Sequence, residues 1–465
     1  MIRMSNNVMR FSSLLVVLFI AACASNSYRT LDPKYVELRE QAEQAPDDIL
    51  LLSRVADQAR QNYSTTGINE YSEDAIRYLE RLLQLNPGHV GASVVLYSVL
   101  GDRMLRTTSL RDMPRLRSLF QQTSILQHTD KVAPPSFVEA IVRLRSGHGD
   151  SSLAEVRSSL REALKENPQY LRTQIMLGGI YMDMGKPRVA EAMFLATLKK
   201  GPSDPGDSKL LAFFLNDLSE GTMCDLDRDK HRSQLRNAIE ATKAALKTNP
   251  HNPDLAYNLS ILYEGLDRRK LAIFEAQQYA GLKKDRKAGW FLVDQYRAAE
   301  EFDKADKLSR ELLAQHPADA EELEDEAMTA FQRGDFEMAA DKFQEYRSVQ
   351  PRPSVYSAVR EAIVSQRLGR DGQSRQALAA IDIASVNDRW ERALLRFHRR
   401  ELSENTLLSA ARDACEKTEA HYFVAWRAWL EGDKQAARQH FERVLGYEVP
   451  RFFEYTAAKA HLRSL

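Results

Sequence analysis

Hydrophobic residues follow two patterns along this chain: a short continuous run near the start and, after it, a helical spacing that continues to the end. The run, Phe11–Ala22, has twelve mostly apolar residues. As a helix it would rise only about 18 Å, well short of the roughly 30 Å hydrocarbon core of a membrane. Arg3 and Arg10 precede it without an acidic residue. This arrangement is typical of an export signal, so residues 1–22 are predicted to be a signal peptide.

An aliphatic residue and two small residues stand directly before a cysteine, in the order Ile20-Ala21-Ala22-Cys23. The tetrad resembles the lipobox of bacterial lipoproteins, whose cysteine is acylated and becomes the mature N-terminus. The alternative is a buried cysteine in an ordinary signal peptide. The resemblance implies a lipid anchor on Cys23, with residues 23–31 as lipidated cysteine and tether. Because Ala24 is not the Asp that tends to retain such proteins in the inner membrane, it implies the outer membrane, facing the periplasm.

Beyond the leader, the chain repeats with a period near 34 residues. Three pairs of residues are 34 positions apart: Pro168 and Pro202, Pro317 and Pro351, and Ala305 and Ala339. The stretch that follows Pro168 carries Leu177-Gly178, Tyr181, Gly185, Ala190, Phe194 and Pro202. These residues match the tetratricopeptide repeat (TPR) pattern L-G-x2-Y…A-x3-F…P. The resemblance predicts an all-α fold: a right-handed solenoid of about eleven TPR-like helical hairpins with a C-terminal capping helix.

Each position of the pattern has a physical reason. Ala190 lies where the two helices of a hairpin cross closely, and Phe194, four residues on, shares that helix face and fills the space beside it. Gly185 lets the chain leave one helix and turn into the next. The prolines end the second helix, because proline lacks an N–H and clashes with the preceding turn.

The repeat spacing is interrupted in places. Excess residues fall around Ser64–Glu70 and Asn216–Lys230, and a linker is expected at His128–Pro135. Insertions in solenoids usually emerge as loops. We therefore predict N-terminal TPR-like repeats with loop insertions over residues 32–250, and C-terminal repeats with the capping helix over 251–465.

The C-terminal end resembles the last repeat and capping helix of periplasmic lipoprotein adaptors, which hold proteases and peptidoglycan hydrolases. The resemblance covers about 45 residues. It is carried by Glu419, Tyr422-Phe423, Gly432-Asp433, Ala437, Phe441 and the stretch from Phe452-Phe453-Glu454 to Leu462. Because many repeat proteins share these features, the resemblance implies a class of protein and no particular one.

Charge and motifs narrow the function. The chain has 65 Lys and Arg residues and 65 Asp and Glu residues, and without the leader it has 63 against 65. This charge balance does not favour binding to nucleic acid. The chain lacks H-E-x-x-H, G-x-S-x-G and phosphate-binding glycine motifs. Asp225, Asp227 and Asp229 alternate as in a calcium loop, but Lys230 and Arg236 occupy positions that need Gly and Glu. We predict no enzyme activity, cofactor, metal or small-molecule substrate.

Cys224 and Cys415 are the cysteines of the mature chain besides the anchor. In a solenoid each repeat touches only its neighbours, and these two residues lie about five repeats apart. We therefore expect their thiols to be tens of Å from each other, beyond the reach of a disulfide. Cys415, beside Ala411 and Ala414, is expected to pack in the core.

In TPR proteins the first helix of each hairpin lines a concave groove, where ligands usually lie. Carried over position by position, the groove candidates are Arg172, Asp183, Tyr257, Glu264, Trp290, Asp294, Arg297 and Phe331. Trp290 could instead belong to the core, because its repeat is one residue short. A groove that mixes aromatic residues with both charge signs suits protein partners.

These observations together predict a membrane-anchored periplasmic TPR scaffold or adaptor that binds envelope proteins such as peptidoglycan enzymes, proteases or assembly factors. The alternative is an accessory, pilotin-like lipoprotein of a secretion, pilus or exopolysaccharide export system.

Overall fold

The structure is a computed structural model that describes residues 31–127, 129, 132–146, 150–201, 204–314, 318–350 and 352–465. Over these residues the chain is all-helical, with no β-strand. This confirms the predicted fold class. The signal peptide, Cys23, Ala24 and nearly all of the tether lie outside the described residues. So do His128 and three of the repeat prolines, Pro202, Pro317 and Pro351.

The described residues form two compact units, one up to residue 211 and the other over residues 212–465. The helices of the first unit are α1 (Pro33–Gln44), α2 (Ile49–Thr66), α3 (Asn69–Leu85), α4 (Val90–Thr107), α5 (Met113–Gln122), α6 (Ser124–Gln127), α7 (Pro135–Arg145), α8 (Asp150–Glu166), α9 (Leu171–Asp183) and α10 (Pro187–Lys200). Helix α11 (Pro205–Gly221) contains the boundary between the units.

The helices of the second unit are α12 (Arg228–Thr248), α13 (Pro253–Gly265), α14 (Arg269–Lys283), α15 (Arg286–Ala298), α16 (Phe302–Leu313), α17 (Ala320–Arg333), α18 (Phe336–Val349), α19 (Val355–Arg367), α20 (Asp371–Ala379), α21 (Arg389–His398), α22 (Glu404–Ala410), α23 (Ala414–Leu430), α24 (Lys434–Gly446) and α25 (Phe453–Leu462). A 3-10 turn, Ile383–Ser385, precedes α21.

Consecutive helices pack as pairs, which is the TPR-like hairpin arrangement. Within the first unit α2 packs on α3, α7 on α8 and α9 on α10. Within the second unit the closely packed pairs are α13–α14, α15–α16, α17–α18, α19–α20 and α23–α24. Within each unit neighbouring pairs also pack on one another, as α8 does on α9 and α14 on α15.

The repeat positions have the local roles that the pattern predicts. Ala190 and Phe194 are fully buried between the helices of the α9–α10 pair. Gly185 has a φ of 69° at the turn between those helices, a left-handed conformation that glycine adopts without a Cβ penalty. At α17, Asp319 and Glu322 form a capping box, in which each side chain accepts the other residue's backbone N–H.

Most of the excess residues lengthen helices, and only some of them form the connections expected as loops. Ser64–Thr66 belong to α2, so only Gly67 and Ile68 separate α2 from α3. In the same way α12 extends to 21 residues, and the connection before it is confined to residues 222–227. Asp227 accepts the backbone N–H of Lys230 at 3.0 Å and so starts α12. The acids of the calcium-like stretch therefore serve as a helix cap and as partners of nearby cations.

None of the helices in the part of the chain that the structure describes is long and apolar enough to cross a membrane.

Two helix glycines of the first unit provide a matched test of the packing. A Cβ on Gly178 would lie 2.4 Å from a ring carbon of Phe194, whereas a Cβ on Gly101 of α4 would meet nothing within 4 Å. Gly178→Ala should therefore destabilise the unit by about 1–3 kcal/mol through overpacking. Gly101→Ala should stabilise it by about 0.5–1 kcal/mol through helix propensity. Chemical unfolding of both variants measures the difference, and equal shifts would contradict the packing described here.

Candidate functional site

Three of the predicted groove residues come together on successive first helices of the second unit. Glu264 lies on α13, Asp294 and Arg297 lie on α15, and Asp325 of α17, which was not predicted, joins them. We call these four residues the charged row. The side chains of Asp294 and Asp325 stay about one-third exposed, at 36% and 27%. The row is therefore accessible, and it carries three carboxylates for one guanidinium.

Arg297 is the cation at the centre of the charged row. Its guanidinium lies 2.6 Å from a carboxylate oxygen of Asp294 and 3.5 Å from one of Asp325. Burial opposes the charged form of Arg297, but the charges of Asp294 and Asp325 outweigh it and raise the pKa of the guanidinium. Burial and the nearby charge of Asp294 raise the pKa of the Asp325 carboxyl.

Glu264 connects the charged row to a further arginine. Its carboxylate lies 3.1 Å from the guanidinium of Arg269 and accepts the Gln295 side-chain amide at 3.3 Å. Arg269 also donates to the backbone oxygen of Pro450 at 2.5 Å. The row is therefore linked to the end of the chain, some 180 residues away in sequence.

Tyr257 belongs to a cluster of three partly exposed aromatic rings. Its ring centroid lies 5.2 Å from that of Tyr279 and 4.7 Å from that of Phe291. Tyr279 and Phe291 are 5.6 Å apart. We call Tyr257, Tyr279 and Phe291 the aromatic trio. Burial, more than the nearby charge of Glu220, raises the pKa of the Tyr257 hydroxyl.

Trp290 and Phe331 lie in the interior of the second unit. Trp290 is 7% exposed and packs in a cluster that includes Ile273, Val293 and Leu312. Phe331 is fully buried, with Trp426 at 5.1 Å and the imidazole of His461 at 5.5 Å. The repeat that contains Trp290 is one residue short, which explains why this side chain is buried. The missing residue rotates α15, so that Phe291 takes the exposed position.

The two candidates of the first unit, Arg172 and Asp183, are both on α9. Arg172 lies 2.8 Å from a carboxylate oxygen of Asp204 and also pairs with Asp207. Asp183 ends α9 and is partly exposed. The binding of a partner by Arg172, Asp183 and the accessible candidates of the second unit stays a prediction.

The last 19 residues, 447–465, return to the first helices of the second unit; we call them the C-terminal segment. Arg228 donates to the backbone oxygen of Glu448 at 2.7 Å, and Arg451 lies 3.3 Å from a carboxylate oxygen of Glu220. Further on, two ion pairs hold helix α25 to hairpin turns: Lys459 with Asp267, and Arg463 with Glu300.

Helix α25, the predicted capping helix, contacts more of the second unit than the last hairpin. Helix α25 packs against α24 and also against α17, which lies far earlier in the chain. Helix α25 is also held to α19, because Arg360 of α19 and Glu454, both almost fully buried, form an ion pair at 2.5 Å. The C-terminal segment joins the two ends of the second unit.

A disulfide between Cys224 and Cys415 forms part of the same closure. The Cα atoms of the two cysteines are 5.0 Å apart, and the backbone N–H of Ala414 donates to the oxygen of Cys224 at 2.9 Å. The expectation that the thiols would lie tens of Å apart was wrong. It assumed that each repeat touches only its neighbours, and the return of the chain end breaks that rule. Cys415 is fully buried, as expected.

The second unit contains a cleft that no sequence feature predicted. It has a volume of about 870 Å³ and is lined by α20, the turn after α21 and the turn between α23 and α24. The second helices here, α20 and α22, have only 9 and 7 residues, which leaves space that longer helices would fill. The Nε2 atom of His398 is buried beside this cleft without a hydrogen-bond partner among the described residues. Proline spacing gave no signal of these short helices.

No protein-family model matches this chain, and no curated protein matches it. Similar solved structures include a TPR protein from Parabacteroides merdae, with 16% identity, a TM-score of 0.42, and 57% of this chain and 99% of that one covered. Yeast Tom70 has 13% identity, a TM-score of 0.34 and 93% coverage of each chain. The APC/C hetero-tetramer Cut9–Hcn1 has 13% identity, a TM-score of 0.35, and 94% and 97% coverage.

At these identities and TM-scores the likenesses carry no argument about this chain. The repeat motif and the paired helices of the described residues establish the fold by themselves. The fold is a TPR-like helical solenoid.

Removing the disulfide should lower the stability of the second unit. The bond joins residues 191 positions apart, and closing a loop of that length in the unfolded chain corresponds to about 5 kcal/mol. We expect the double variant Cys224→Ala and Cys415→Ala to lose up to that amount, measured by chemical unfolding against the oxidised protein. The variant should match chemically reduced wild type in all but small packing effects. No loss in either would contradict closure by this bond.

The buried imidazole of His461 makes the closure sensitive to acid. Burial lowers the pKa of His461 to about 3, whereas an unfolded histidine has a pKa near 6.5. Between these values only the unfolded state binds the proton, so the stability from His461 is complete above about pH 6.5 and declines as pH falls. From about pH 7.5 to about pH 5, wild type should lose about 2 kcal/mol relative to His461→Gln. Unfolding at both pH values tests this, and a pH-independent difference would refute it.

Proposed function

We propose that this protein is a lipid-anchored scaffold that binds other proteins of the bacterial envelope, on the periplasmic side of the outer membrane. A TPR-like repeat fold is suited to protein interaction. The proposed clients are peptidoglycan enzymes, proteases or assembly factors. The proposed anchor is the acylated Cys23 of the lipobox-like tetrad.

The observation that carries the binding proposal is the aromatic trio beside the charged row. Its three rings are partly exposed and within 4.7–5.6 Å of each other. Neighbouring charges, including those of Glu264 and Asp294, act on the hydroxyl of Tyr257. Aromatic residues are enriched at protein interfaces, because they bury a large area and, for tyrosine, offer a polar group. A rim of charge next to such a cluster favours a protein partner.

The disulfide supports an extracytoplasmic location. Disulfides persist in oxidising compartments such as the periplasm and are rare in the cytosol. The leader and Cys23 suggest export on separate grounds, from residues outside the described part of the chain. The two observations are independent and favour the same compartment.

The anchor is tested with Cys23→Ser in the full-length protein. Without a thiol to acylate, the protein should leave the outer-membrane fraction, because the helices of the described residues offer no membrane span in its place. Fractionation with salt washing and mass spectrometry of the mature N-terminus measure both effects. A variant that still pellets with outer membrane and resists salt extraction would contradict the lipobox interpretation.

The binding surface is tested by replacing Tyr257 and Phe291 together with Ala. If the aromatic trio is an interface centre, capture of cross-linked envelope proteins should fall by about thirtyfold, equivalent to about 2 kcal/mol. The matched control is Phe274→Ala, an exposed aromatic of α14 outside the trio, 54% accessible. Circular dichroism and unfolding must show that each variant is folded. Unchanged capture by the folded double variant would move the binding surface away from the trio.

A further inference from the structure

The two sulfurs of the Cys224–Cys415 bond are in different environments. Cys224 lies in the connection between α11 and α12 and is partly exposed. Cys415 is fully buried, as the second residue of α23. Of the two residues, Cys224 is therefore the one open to a thiolate that approaches from solvent.

The position of Cys415 favours it as the leaving thiolate. The first turn of a helix carries partial positive charge from its free N–H groups, which stabilises an anion there. Helix α23 has 17 residues, and Asp413 caps it by accepting the backbone N–H of Glu416 at 2.8 Å. A better-stabilised leaving thiolate departs faster in thiol–disulfide exchange.

Arg228 holds the backbone on both sides of Cys224. Its guanidinium donates to the backbone oxygens of Met223 at 2.7 Å and Asp225 at 2.9 Å. The carboxylate of Asp413 and both sulfurs lie within 4.8 Å of one another. The connection that carries Cys224 is therefore fixed beside the start of α23.

We propose that the Cys224–Cys415 bond is a site of thiol–disulfide exchange with an external dithiol. One thiolate of the dithiol attacks the sulfur of Cys224, forms a mixed disulfide with it and releases Cys415 as the thiolate. The second thiolate of the dithiol then attacks its own partner sulfur and releases Cys224, and the two cysteines take up two protons. The dithiol loses two electrons and becomes a disulfide, and the bond in this protein becomes two thiols.

Reduction acts on the C-terminal segment, which packs against the bond. Val449, Phe452 and Tyr455 form one buried cluster with Ala414 and Cys415. When the bond opens, ion pairs such as Lys459 with Asp267 remain, so the segment stays in place but opens more often. This proposal depends on the closure and not on which proteins the chain binds.

The first experiment uses full-length oxidised protein and dithiothreitol as the probe, without denaturant. Thiols appearing with time are alkylated and located by mass spectrometry. We expect both cysteines to become thiols at a rate proportional to dithiothreitol concentration, while the helical circular dichroism signal persists. Reduction at a rate that is independent of dithiothreitol and equal to global unfolding would overturn the proposal.

The second experiment compares the two single variants with glutathione disulfide. Cys415→Ala leaves Cys224 as the only thiol of the mature body, and Cys224→Ala leaves Cys415. We expect Cys224 to form the mixed disulfide at least about tenfold faster than Cys415, because only Cys224 is accessible. Equal rates, or a faster Cys415, would overturn the assignment of the attacked sulfur.

Hydrogen exchange of the oxidised and reduced proteins tests the consequence. Amides of residues 447–456 should exchange several-fold faster after reduction, and those of α9 and α10 in the other unit should not change. Unchanged exchange in the C-terminal segment would show that the bond does not restrain it.

Discussion

The return of the C-terminal segment to the first helices of the second unit is the constraint on which the rest of that unit depends. In an open solenoid each hairpin contacts only its neighbours. Here residues 448–463 bind Arg228, Asp267 and Glu300, which precede them by some 160–220 positions. The segment buries Phe331, reaches the charged row through Arg269 and covers the disulfide. A partner of the second unit can bind only the surface that stays exposed after this closure.

Within each hairpin, stability comes from small residues that face large ones. Gly178 leaves space for the ring of Phe194, and Gly289 leaves space for Leu312. The charges follow a similar complementarity where burial is deep, as for Arg360 and Glu454. A buried charge is costly unless it is paired, so such pairs are strongly destabilised when one partner is removed. The packing of small against large residues therefore stabilises each hairpin. The buried pair of Arg360 and Glu454 stabilises the contact between the C-terminal segment and the rest of the second unit.

The sequence was sufficient for features that depend on neighbouring residues. The 34-residue period predicted the paired helices and the roles of Ala190, Phe194 and Gly185, because these contacts lie within one hairpin. Features that depend on distant contacts were not predictable in this way. The pairing of Cys224 with Cys415 required knowledge that the chain end returns. An even number of cysteines in the mature body of an exported chain was the one available signal.

The charged row was partly predictable, because Glu264, Asp294 and Arg297 occupy groove-facing positions of the first helices. The one-residue shortening at α15 showed that Trp290 could be buried, but the exposure of Phe291 needed the packed structure. The inserted residues at 64–70 and 216–230 were expected as loops from period counting alone. Most of them continue helices, since few residues break a helix before Gly67 and Gly221, and residues 222–227 form the connection that remains.

The second unit is closed on itself. The disulfide between Cys224 and Cys415 is the most direct test of this closure. The mature protein should be purified with free thiols blocked, digested without reductant and analysed by mass spectrometry. We predict a disulfide-linked pair of peptides, one containing Cys224 and the other Cys415, that separates on reduction. Recovery of both cysteines as alkylated free thiols from protein made in an oxidising compartment would contradict it.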